Sequence, residues 1–332
     1  MSFQLIVFTD LDATLLDFQT YSFQAARPML KKLRRLGIPI ILNTSKTRAE
    51  TEIVSKRLRL NHPFIVENGG AIFIPEGYFP PFFGVLGMQT KKRDKYRVVQ
   101  LGTPYQKLRK YLEVIRKKTM VNLVGFGDLT TEQIAYFAGL KRREAALARL
   151  REYDEPFLVE ADTLYAEVPF YKGKKDLEKK GKKPWAFNLN KEQEVKSFSL
   201  QGQKSVLARG LKKILSEIKK EAKRYGLKII EGGRFYHLTG NNDKGRAVRL
   251  LRKLYRLKYG RIITIGLGDS ANDWPMLKAV DYPVLVARPD GSHANLPSGV
   301  KNVYKTRQPG PEGWAEALEY FLSRFQVEKK PG

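Results

Sequence analysis

The stretch Gln4-Leu5-Ile6-Val7-Phe8-Thr9-Asp10-Leu11-Asp12-Ala13-Thr14 joins a short apolar run to a pair of carboxylates. The apolar run predicts a β-strand, and Asp10 and Asp12 follow at its carboxyl end. Two carboxylates two residues apart on an extended segment point the same way, so they can share a hard cation. A solvated loop with two acids and a helix-starting Thr14 is the alternative interpretation.

Further apolar runs at Ile38–Leu42 and Phe64–Glu67 follow within the first 70 residues, and helical patterns separate them. The order βαβαβ predicts a parallel sheet. The alternation returns late in the chain, where a helical pattern at Lys244–Tyr259 precedes strand patterns at Arg261–Gly266 and Pro283–Val286. We therefore predict an α/β fold whose first sheet resumes after an insertion.

The inserted segment opens at Pro80-Pro81 and carries amphipathic helical patterns of its own, at Tyr105–Lys118, Thr131–Leu140, Arg142–Tyr153 and Ser205–Tyr225. We predict a first domain formed by residues 1–80 plus 239–332 and an inserted α/β domain at 81–238. Seven lysines between Lys172 and Lys183 mark a stretch at about 168–203 as a mobile excursion from the inserted domain.

The composition limits the chemistry that the chain can perform. Its 332 residues contain no Cys, which excludes a disulfide scaffold, a zinc-thiolate site and a Cys nucleophile. A metal must therefore be held by oxygen or by one of three His. No apolar stretch is long enough to span a bilayer, and no basic region precedes the first apolar run, so we expect a cytoplasmic protein without membrane partners.

The formal net charge of +27 makes nucleic acid, anionic membranes and anionic substrates candidate partners. Residues 81–238 hold 35 Lys+Arg and 18 Asp+Glu, which is +17, and the remaining residues carry +10 (26 − 16). Part of the electrostatic field of these positive charges can steer an anionic substrate toward a site. The sequence does not indicate an oligomeric state.

A second polar cluster, Asn43-Thr44-Ser45-Lys46-Thr47-Arg48, follows the strand pattern at Ile38–Leu42 and precedes a helix. Hydroxyls, two cations and the backbone N–H groups of a helix N-terminus suit an anion. An ordinary N-cap, in which Ser or Thr begins the helix, is the alternative.

The third cluster, Gly266-Leu267-Gly268-Asp269-Ser270-Ala271-Asn272-Asp273, also follows a strand pattern. Asp269 and Asp273 make a hard-cation site once a carboxylate from elsewhere joins them. A glycine-rich turn with an Asx cap is the alternative. Lys244 begins a late helix, and a lone lysine is most often solvated.

Together these clusters resemble the haloacid dehalogenase-type phosphatases. The four signatures of that superfamily occur here in order, as Asp10-x-Asp12-x-Thr14, Thr44, Lys244 and Gly268-Asp269-x-x-Asn272-Asp273. Within the superfamily the chain resembles the mannosyl-3-phosphoglycerate phosphatase family, through Thr44–Arg48, Val66–Phe73, Arg151–Phe157, Gly233–Leu238 and Gly310-Pro311-x-Gly313-Trp314. The resemblance covers nearly the whole chain except residues 168–203.

The resemblance implies a Rossmann-like core in which the strand carrying Asp10 lies between those carrying Thr44 and Asp269. It implies that the insertion is a cap of the C2B type, with an open-faced α/β sheet. It also implies Mg²⁺ as cofactor, held by Asp10, the Asp12 carbonyl and Asp269, with Asp273 nearby or acting through water.

The same resemblance implies a role for each signature residue. Asp10 attacks phosphorus and becomes an aspartyl phosphate, and Asp12 is the general acid and then the general base. The phosphoryl oxygens are bound by Thr44, Ser45, Lys244 and Asn272. Ala13 departs from the family pattern, which commonly has Gly, so a positive φ at this position would be strained.

The substrate contacts expected from the resemblance are a small set of polar and basic residues. Near the core strands they are Lys46, Arg48, Glu67, Asn68, Gly69 and Gly70, where acceptors and bare backbone could meet sugar hydroxyls. In the cap, Arg142, Arg143, Arg234 and His237 could bind a glycerate carboxylate. A turn explains the glycines equally well, chance explains any one Arg, and His237 could be a core residue.

We weigh three functions. The first is dephosphorylation of mannosyl-3-phosphoglycerate to mannosylglycerate, a compatible solute, and its partner is a small anionic sugar phosphate. The second keeps the chemistry and changes the substrate to glucosyl-3-phosphoglycerate or another sugar phosphate, such as sucrose phosphate. The third is a basic module that binds nucleic acid, which the absence of a recognisable nucleic-acid motif and the presence of both carboxylates disfavour.

Overall fold

The computed structural model describes residues 3–80, 82–159, 200–232 and 234–327. The helices within these residues are α1 (Arg27–Arg35), α2 (Arg48–Arg57), α3 (Phe82–Val85), α4 (Tyr105–Thr119), α5 (Thr131–Ala138), α6 (Arg142–Ala148), α7 (Leu200–Arg224), α8 (Lys244–Tyr259), α9 (Trp274–Leu277) and α10 (Gly310–Arg324). None of the helices within the described ranges is long and apolar enough to cross a membrane.

The strands within the same residues alternate with these helices. They are β1 (Gln4–Thr9), β2 (Ile40–Leu42), β3 (Phe64–Val66), β4 (Ala71–Pro75), β5 (Lys91–Arg93), β6 (Tyr96–Gln100), β7 (Leu123–Gly125), β8 (Asp154–Val159), β9 (Lys228–Glu231), β10 (Tyr236–Thr239), β11 (Ile262–Gly268), β12 (Tyr282–Ala287) and β13 (Tyr304–Pro309). Short 3₁₀ turns occupy Glu67–Gly69, Phe126–Asp128 and Ala271–Asp273.

A parallel sheet with the order β13-β12-β11-β1-β2 forms the centre of the first unit. In β1, Val7 lies opposite Ile265 of β11 on one side and Ile40 of β2 on the other. Because β1 is covered on both faces, its sequence is a continuous apolar run rather than an alternating one. The prediction that the strand carrying Asp10 lies between those that lead to Thr44 and Asp269 is therefore confirmed.

The first unit extends beyond the domain boundary predicted at residue 80. It comprises Met1–Pro104, Leu150–Asp154 and Gly240–Gly332. The cause is a second, antiparallel sheet, β3-β4-β6-β5, in which β6 pairs with β4 along its length. This pairing draws the chain up to Pro104 into the first unit.

The second unit comprises Tyr105–Arg149 and Glu155–Thr239 and contains the sheet β7-β8-β10-β9. Helices α4 and α7 pack on this sheet through a buried apolar cluster that includes Leu108, Leu112, Ile115, Phe157, Val159, Ile218 and Ala222. The lysine-rich stretch predicted at 168–203 lies outside the described residues, except for its last four, which begin α7.

The helix predicted to run from Arg142 to Tyr153 is shorter than expected. Helix α6 ends at Ala148, and Leu150–Asp154 is the short segment that belongs to the first unit. The backbone N–H groups of Glu152 and Tyr153 donate to the carboxylate of Glu67 instead of to helical carbonyls. A buried acceptor therefore competes with helix propagation here.

Helix α10 packs against β1, the strand that leads to Asp10, through Trp314, which is fully buried. Its indole Nε1–H donates to Thr9 Oγ1 over 3.0 Å, and the Thr9 hydroxyl donates to the carbonyl oxygen of Asp10 over 2.7 Å. Gly313 precedes it because a Cβ there would lie 2.0 Å from the carbonyl oxygen of Gln308. The motif Gly310-Pro311-x-Gly313-Trp314 thus packs the C-terminal helix against β1.

We expect Trp314→Phe to lower the free energy of unfolding by about 1–3 kcal/mol, because it removes a buried hydrogen bond and leaves a small cavity. Urea denaturation followed by circular dichroism measures this. Tyr320→Phe is a matched control on the same helix, since Tyr320 is exposed, and should change the free energy by less than about 0.5 kcal/mol. Equal stability of Trp314→Phe and the parent would contradict the anchoring role.

Candidate active site

Asp10 follows β1 at the carboxyl edge of the parallel sheet, where its backbone N–H donates to the carbonyl oxygen of Leu267 on β11 over 2.9 Å. Because all strands of this sheet run the same way, the segments that follow β1, β2 and β11 emerge at one edge. The three polar clusters seen in the sequence therefore share one edge of the sheet.

Asp10, Asp269 and Asp273 each offer a carboxylate oxygen, and these oxygens lie within 4.8 Å of one another. The Nζ of Lys244, which is buried at the start of α8, lies 2.6 Å from Oδ1 of Asp10 and 2.6 Å from Oδ1 of Asp273. Thr14 Oγ1 donates to Asp269 over 3.1 Å. The structure thus joins residues from the first, third and fourth signatures in one cluster.

Burial raises the pKa of Asp10 to about 7, and Asp273 and Asp12 add to the shift while Lys244 opposes it. Burial, reinforced by Asp273 and Asp10, also raises the pKa of Asp269 well above its usual value. Burial alone would lower the pKa of Lys244, but the two carboxylates that contact it raise it instead. Three carboxylates and one ammonium carry a net charge of −2 when ionised, which is the charge that a divalent cation balances.

The carboxylate of Asp12 lies apart from this cluster and pairs with Lys46, whose Nζ is 2.9 Å from Asp12 Oδ2. Burial would lower the pKa of Lys46, but Asp12 and Glu50 raise it. The other oxygen, Asp12 Oδ1, is buried and accepts no hydrogen bond from the residues that the structure describes. Lys46, expected as a substrate contact, therefore holds one oxygen of Asp12 and leaves the other available.

The cluster Thr44–Arg48 divides into residues with different partners. The Thr44 hydroxyl oxygen accepts the N–H of Lys46 over 3.1 Å. Thr47 caps α2 and forms a capping box with Glu50, so the ordinary N-cap interpretation is correct for this residue. The Arg48 guanidinium, also expected to contact substrate, lies 2.8 Å from Asp94 and 3.4 Å from Glu152, so acids of the protein already surround it.

The turn Glu67–Gly70 is buried rather than open to a sugar. Glu67 has φ 48°, Asn68 φ 55° and Gly69 φ 84°, so three successive residues adopt the left-handed region that favours glycine. Cβ atoms at Gly69 and Gly70 would collide with Asp243 and Tyr153 respectively. The turn is therefore packed against protein in this structure, and the expectation that these residues offer acceptors and bare backbone to sugar hydroxyls stays a prediction.

Two asparagines that sequence reasoning did not select hold the neighbouring backbone. Asn43 Nδ2 donates to the carbonyl oxygen of Lys244 over 3.3 Å, and Asn242 Nδ2 donates to that of Asn68 over 3.2 Å. Both are fully buried. Asn43 directly precedes Thr44, and Asn242 lies two residues before Lys244, so their places at a strand end and before a helix were the signal that could have identified them. Asn272 Nδ2 lies 3.5 Å from Asn68 Oδ1.

The cap residues selected from the sequence lie in the second unit. Arg142 and Arg143 are exposed, and Arg142 pairs with Glu132 over 2.7 Å. Arg234 donates to the carbonyl oxygen of Ala138, at the end of α5. His237 is half-buried on β10, opposite Ile230 of β9. Their roles toward a substrate remain predictions.

The stability of the fold should depend on the ionisation of Glu67. Burial raises its pKa to about 8, and Asp154 adds to the shift, while Arg151 and the N–H groups of Tyr153 and Glu152 oppose it. Between an unfolded-state pKa of 4.5 and the folded value, the folded chain keeps a proton that the unfolded chain has released. The stability that this proton provides is fully present below pH 4.5 and is lost as the pH rises toward 8.

We therefore expect Glu67→Gln to remove part of the pH dependence of stability. From about pH 5 to about pH 8, the parent should lose stability relative to the variant at up to about 1.4 kcal/mol per pH unit. Urea unfolding at intervals across this range, without metal, measures the two slopes. Parallel slopes for parent and variant would contradict the shifted pKa.

Ala13 has φ 56°, so the strain expected from an alanine at the family's glycine position is present. We expect Ala13→Gly to raise the free energy of unfolding by about 0.5–1 kcal/mol, because the relieved left-handed strain exceeds the entropic cost of glycine. Ala26→Gly is the control, since Ala26 has φ −77° and should lose stability. Differential scanning calorimetry measures both, and a loss at residue 13 would contradict the strain.

Comparisons with known proteins identify the family of the chain. The chain matches the family described as haloacid dehalogenase-like hydrolase over residues 7–78 and 130–292. It is 40% identical over 314 residues to the glucosyl-3-phosphoglycerate/mannosyl-3-phosphoglycerate phosphatase of Methanococcoides burtonii, covering 94% of this chain and 95% of the relative. It is 33% identical to the mannosyl-3-phosphoglycerate phosphatase of Pyrococcus horikoshii, covering 85% of this chain and 90% of the relative.

A solved structure from Thermoplasma acidophilum shares the fold with a TM-score of 0.54 at 17% identity, covering 98% of this chain and 100% of that one. At this identity the likeness concerns the fold alone. The family match and the relatives are stronger, since each spans most of the chain and the family match includes the positions of all four signatures. The chain therefore belongs to the haloacid dehalogenase-like hydrolase family, as one of its phosphatases.

Proposed function

We propose that the chain is a Mg²⁺-dependent phosphatase that hydrolyses mannosyl-3-phosphoglycerate and glucosyl-3-phosphoglycerate to the sugar glycerates. The observation that carries the choice of substrate is the relative that is 40% identical over 94% of this chain and is named for both esters. Such phosphate esters are charged and do not cross bilayers unaided, so we expect the reaction in the cytoplasm.

The donor set fits a hard divalent cation, because carboxylate oxygens are the ligands that Mg²⁺ prefers. Asp10, Asp269 and Asp273 would hold the ion, and their excess negative charge over Lys244 supports this assignment. The bound ion would neutralise phosphate charge that otherwise repels a carboxylate nucleophile. Asp12 would contribute through its carbonyl, because its carboxylate pairs with Lys46.

In the first step Asp10 is the nucleophile. Lys244 holds Asp10 Oδ1, which leaves Oδ2 to attack phosphorus. The bond from phosphorus to the glycerate oxygen breaks, and Asp12 gives that oxygen its proton, so that an aspartyl phosphate forms and the sugar glycerate leaves with a free hydroxyl group. The unpaired Asp12 Oδ1 is the oxygen suited to carry this proton.

In the second step Asp12, now ionised, accepts a proton from water as the water oxygen attacks phosphorus. The bond from phosphorus to Asp10 breaks, which releases inorganic phosphate and restores the Asp10 carboxylate. Lys244 and the Thr44 hydroxyl donate to the phosphoryl oxygens, where charge must be stabilised in both steps.

The experiment that tests this function is a comparison of kcat/KM on a panel of purified phosphate esters with Mg²⁺. The panel contains mannosyl-3-phosphoglycerate, glucosyl-3-phosphoglycerate, sucrose phosphate, hexose 6-phosphates and p-nitrophenyl phosphate. We expect kcat/KM for the two glycosyl phosphoglycerates to exceed kcat/KM for the other esters by at least about 100-fold. The reason is that the site must also bind a second anionic group of the substrate, the glycerate carboxylate. A higher value for sucrose phosphate or a hexose 6-phosphate would overturn the substrate proposed here.

A further inference from the structure

The segment Leu150–Asp154, here called the strap, lies in the first unit although the residues on both sides of it in the sequence belong to the second. Glu67 holds it. One Glu67 carboxylate oxygen, Oε2, accepts the N–H of Tyr153 over 2.8 Å, and both oxygens lie within 3.1 Å of the N–H of Glu152. Glu67 is fully buried, so no solvent competes for these bonds.

The strap contacts the loop that carries Thr44 and Ser45 and the turn that carries Asn68. Arg151 Nη1 donates to the carbonyl oxygen of Ser45 over 2.8 Å, beside Thr44. The Asp154 carboxylate accepts the amide N–H of Asn68 over 3.3 Å. Arg151 also lies 3.7 Å from Asp154, so the two side chains that leave the strap support each other.

The loop that carries Asn68 leads to the remaining phosphate-site residues. Asn68 lies 3.5 Å from Asn272, and its neighbour Gly69 packs directly on the backbone of Asp243 and Lys244. A Cβ at Gly69 would lie 2.2 Å from the carbonyl oxygen of Asp243. Because this contact leaves no free space between the two segments, a shift of the turn would displace the start of α8, which carries Lys244.

The strained turn at Glu67 and Asn68 requires contacts that hold its backbone in place. Two successive non-glycine residues, Glu67 and Asn68, have positive φ values, and such conformations persist only where surrounding contacts impose them. The strap supplies those contacts, since it bonds both the Glu67 carboxylate and the Asn68 amide.

We propose that Glu67 is a positioning residue that anchors the strap Leu150–Asp154, and that the anchored strap fixes Ser45 and Asn68 beside Thr44, Asn272 and Lys244. Glu67 does not contact substrate. This inference rests on the proposed function of these residues in phosphate binding. It assigns a role to the motif Arg151–Phe157, whose first four residues belong to the strap.

The test compares Glu67→Ala, which removes both acceptor oxygens, with Glu67→Gln, which keeps one. With p-nitrophenyl phosphate and Mg²⁺, we expect Glu67→Ala to lower kcat by about 10–100-fold, since small displacements of positioned groups carry costs of this size. KM should change less than about threefold, and the Mg²⁺ concentration for half-activation less than about twofold, because Asp10, Asp269 and Asp273 stand on other segments. Glu67→Gln should recover kcat to within about fivefold of the parent. Glu76→Ala, an exposed acid after β4, is the matched control and should leave kcat unchanged.

Three outcomes would overturn the proposal: a kcat of Glu67→Ala within about twofold of the parent, a rise in KM alone, or a Gln variant as inactive as the Ala variant, since the last two indicate direct substrate contact.

If Glu67→Ala does not fold, Arg151→Gln tests the link to Ser45 with the Glu67 bonds intact. It should lower kcat about 5–20-fold and Arg151→Lys should restore most of it, whereas an unchanged kcat would refute the strap. Because p-nitrophenyl phosphate is the probe, failure on both glycosyl phosphoglycerates would overturn the proposed substrates and leave this comparison valid.

Discussion

The Asp10→Asn variant is expected to lose at least about 10⁴-fold in kcat on every phosphate ester while keeping its fold. The amide of asparagine is a poor nucleophile, and nucleophile replacement in enzymes with a covalent intermediate costs this much or more. Asn has nearly the same shape as Asp, and its side-chain oxygen can still accept from Lys244 Nζ. The substitution therefore removes the chemistry and retains the packing.

The melting temperature separates this account from a folding defect. Asp10 is buried beside two other carboxylates, so a neutral side chain there relieves repulsion in the absence of metal. We expect the metal-free variant to melt at or above the temperature of the parent. Asp290→Asn makes the same chemical change at an exposed site and should keep full activity. A folded Asp10→Asn variant with near-parent turnover would exclude Asp10 as the nucleophile.

The sequence predicted which edge of the sheet carries the acidic cluster, because parallel strands bring their carboxyl ends together whatever lies between them in the chain. Asp10 and Lys244 are 234 residues apart in sequence, yet their 2.6 Å contact follows from the order of the strands and the helix that begins at Lys244. Short motifs at strand ends therefore identified the acidic cluster without any knowledge of the intervening residues.

The partners of the basic and acidic residues around this cluster were not predictable in the same way. Glu67 binds backbone N–H groups about 85 residues away, and every residue except proline offers such a group. Arg48 and Lys46 were assigned to substrate by residue type, although Asp94 and Asp12 already neutralise them. Residue type determines which groups a side chain can bind, whereas the fold determines which of those groups lies near it.

The first unit extends beyond the predicted boundary at residue 80 for a related reason. Pro80-Pro81 is a strong local break, but β6 beyond it pairs with β4 before it, and sheet pairing depends on residues on both sides of such a break. Helix α6 was predicted too long because the pattern from Arg142 onward stays amphipathic, whereas Glu67 takes the N–H groups that a further turn would need.

The Asp12→Asn variant should distinguish the two chemical steps. On a glycosyl phosphoglycerate, whose leaving oxygen needs a proton, we expect kcat to fall by about 10²–10⁴-fold, the usual contribution of general acid–base catalysis. On p-nitrophenyl phosphate, whose leaving group needs no proton, Asp10 should still be phosphorylated. Hydrolysis of the aspartyl phosphate should then be slow, because asparagine cannot take the proton from water.

Rapid-mixing measurement of nitrophenolate release tests this difference. We expect a burst close to one equivalent per active site, followed by a steady rate at least about 100-fold below that of the parent. Intact-protein mass spectrometry of the acid-quenched variant should show one added phosphoryl group, and the same treatment of the Asp10→Asn, Asp12→Asn double variant should show none. A burst-free Asp12→Asn variant with equally slow phosphorylation would limit Asp12 to the first step. Parent-like turnover on p-nitrophenyl phosphate would remove it from the second step, and parent-like turnover on a glycosyl phosphoglycerate would remove it from both.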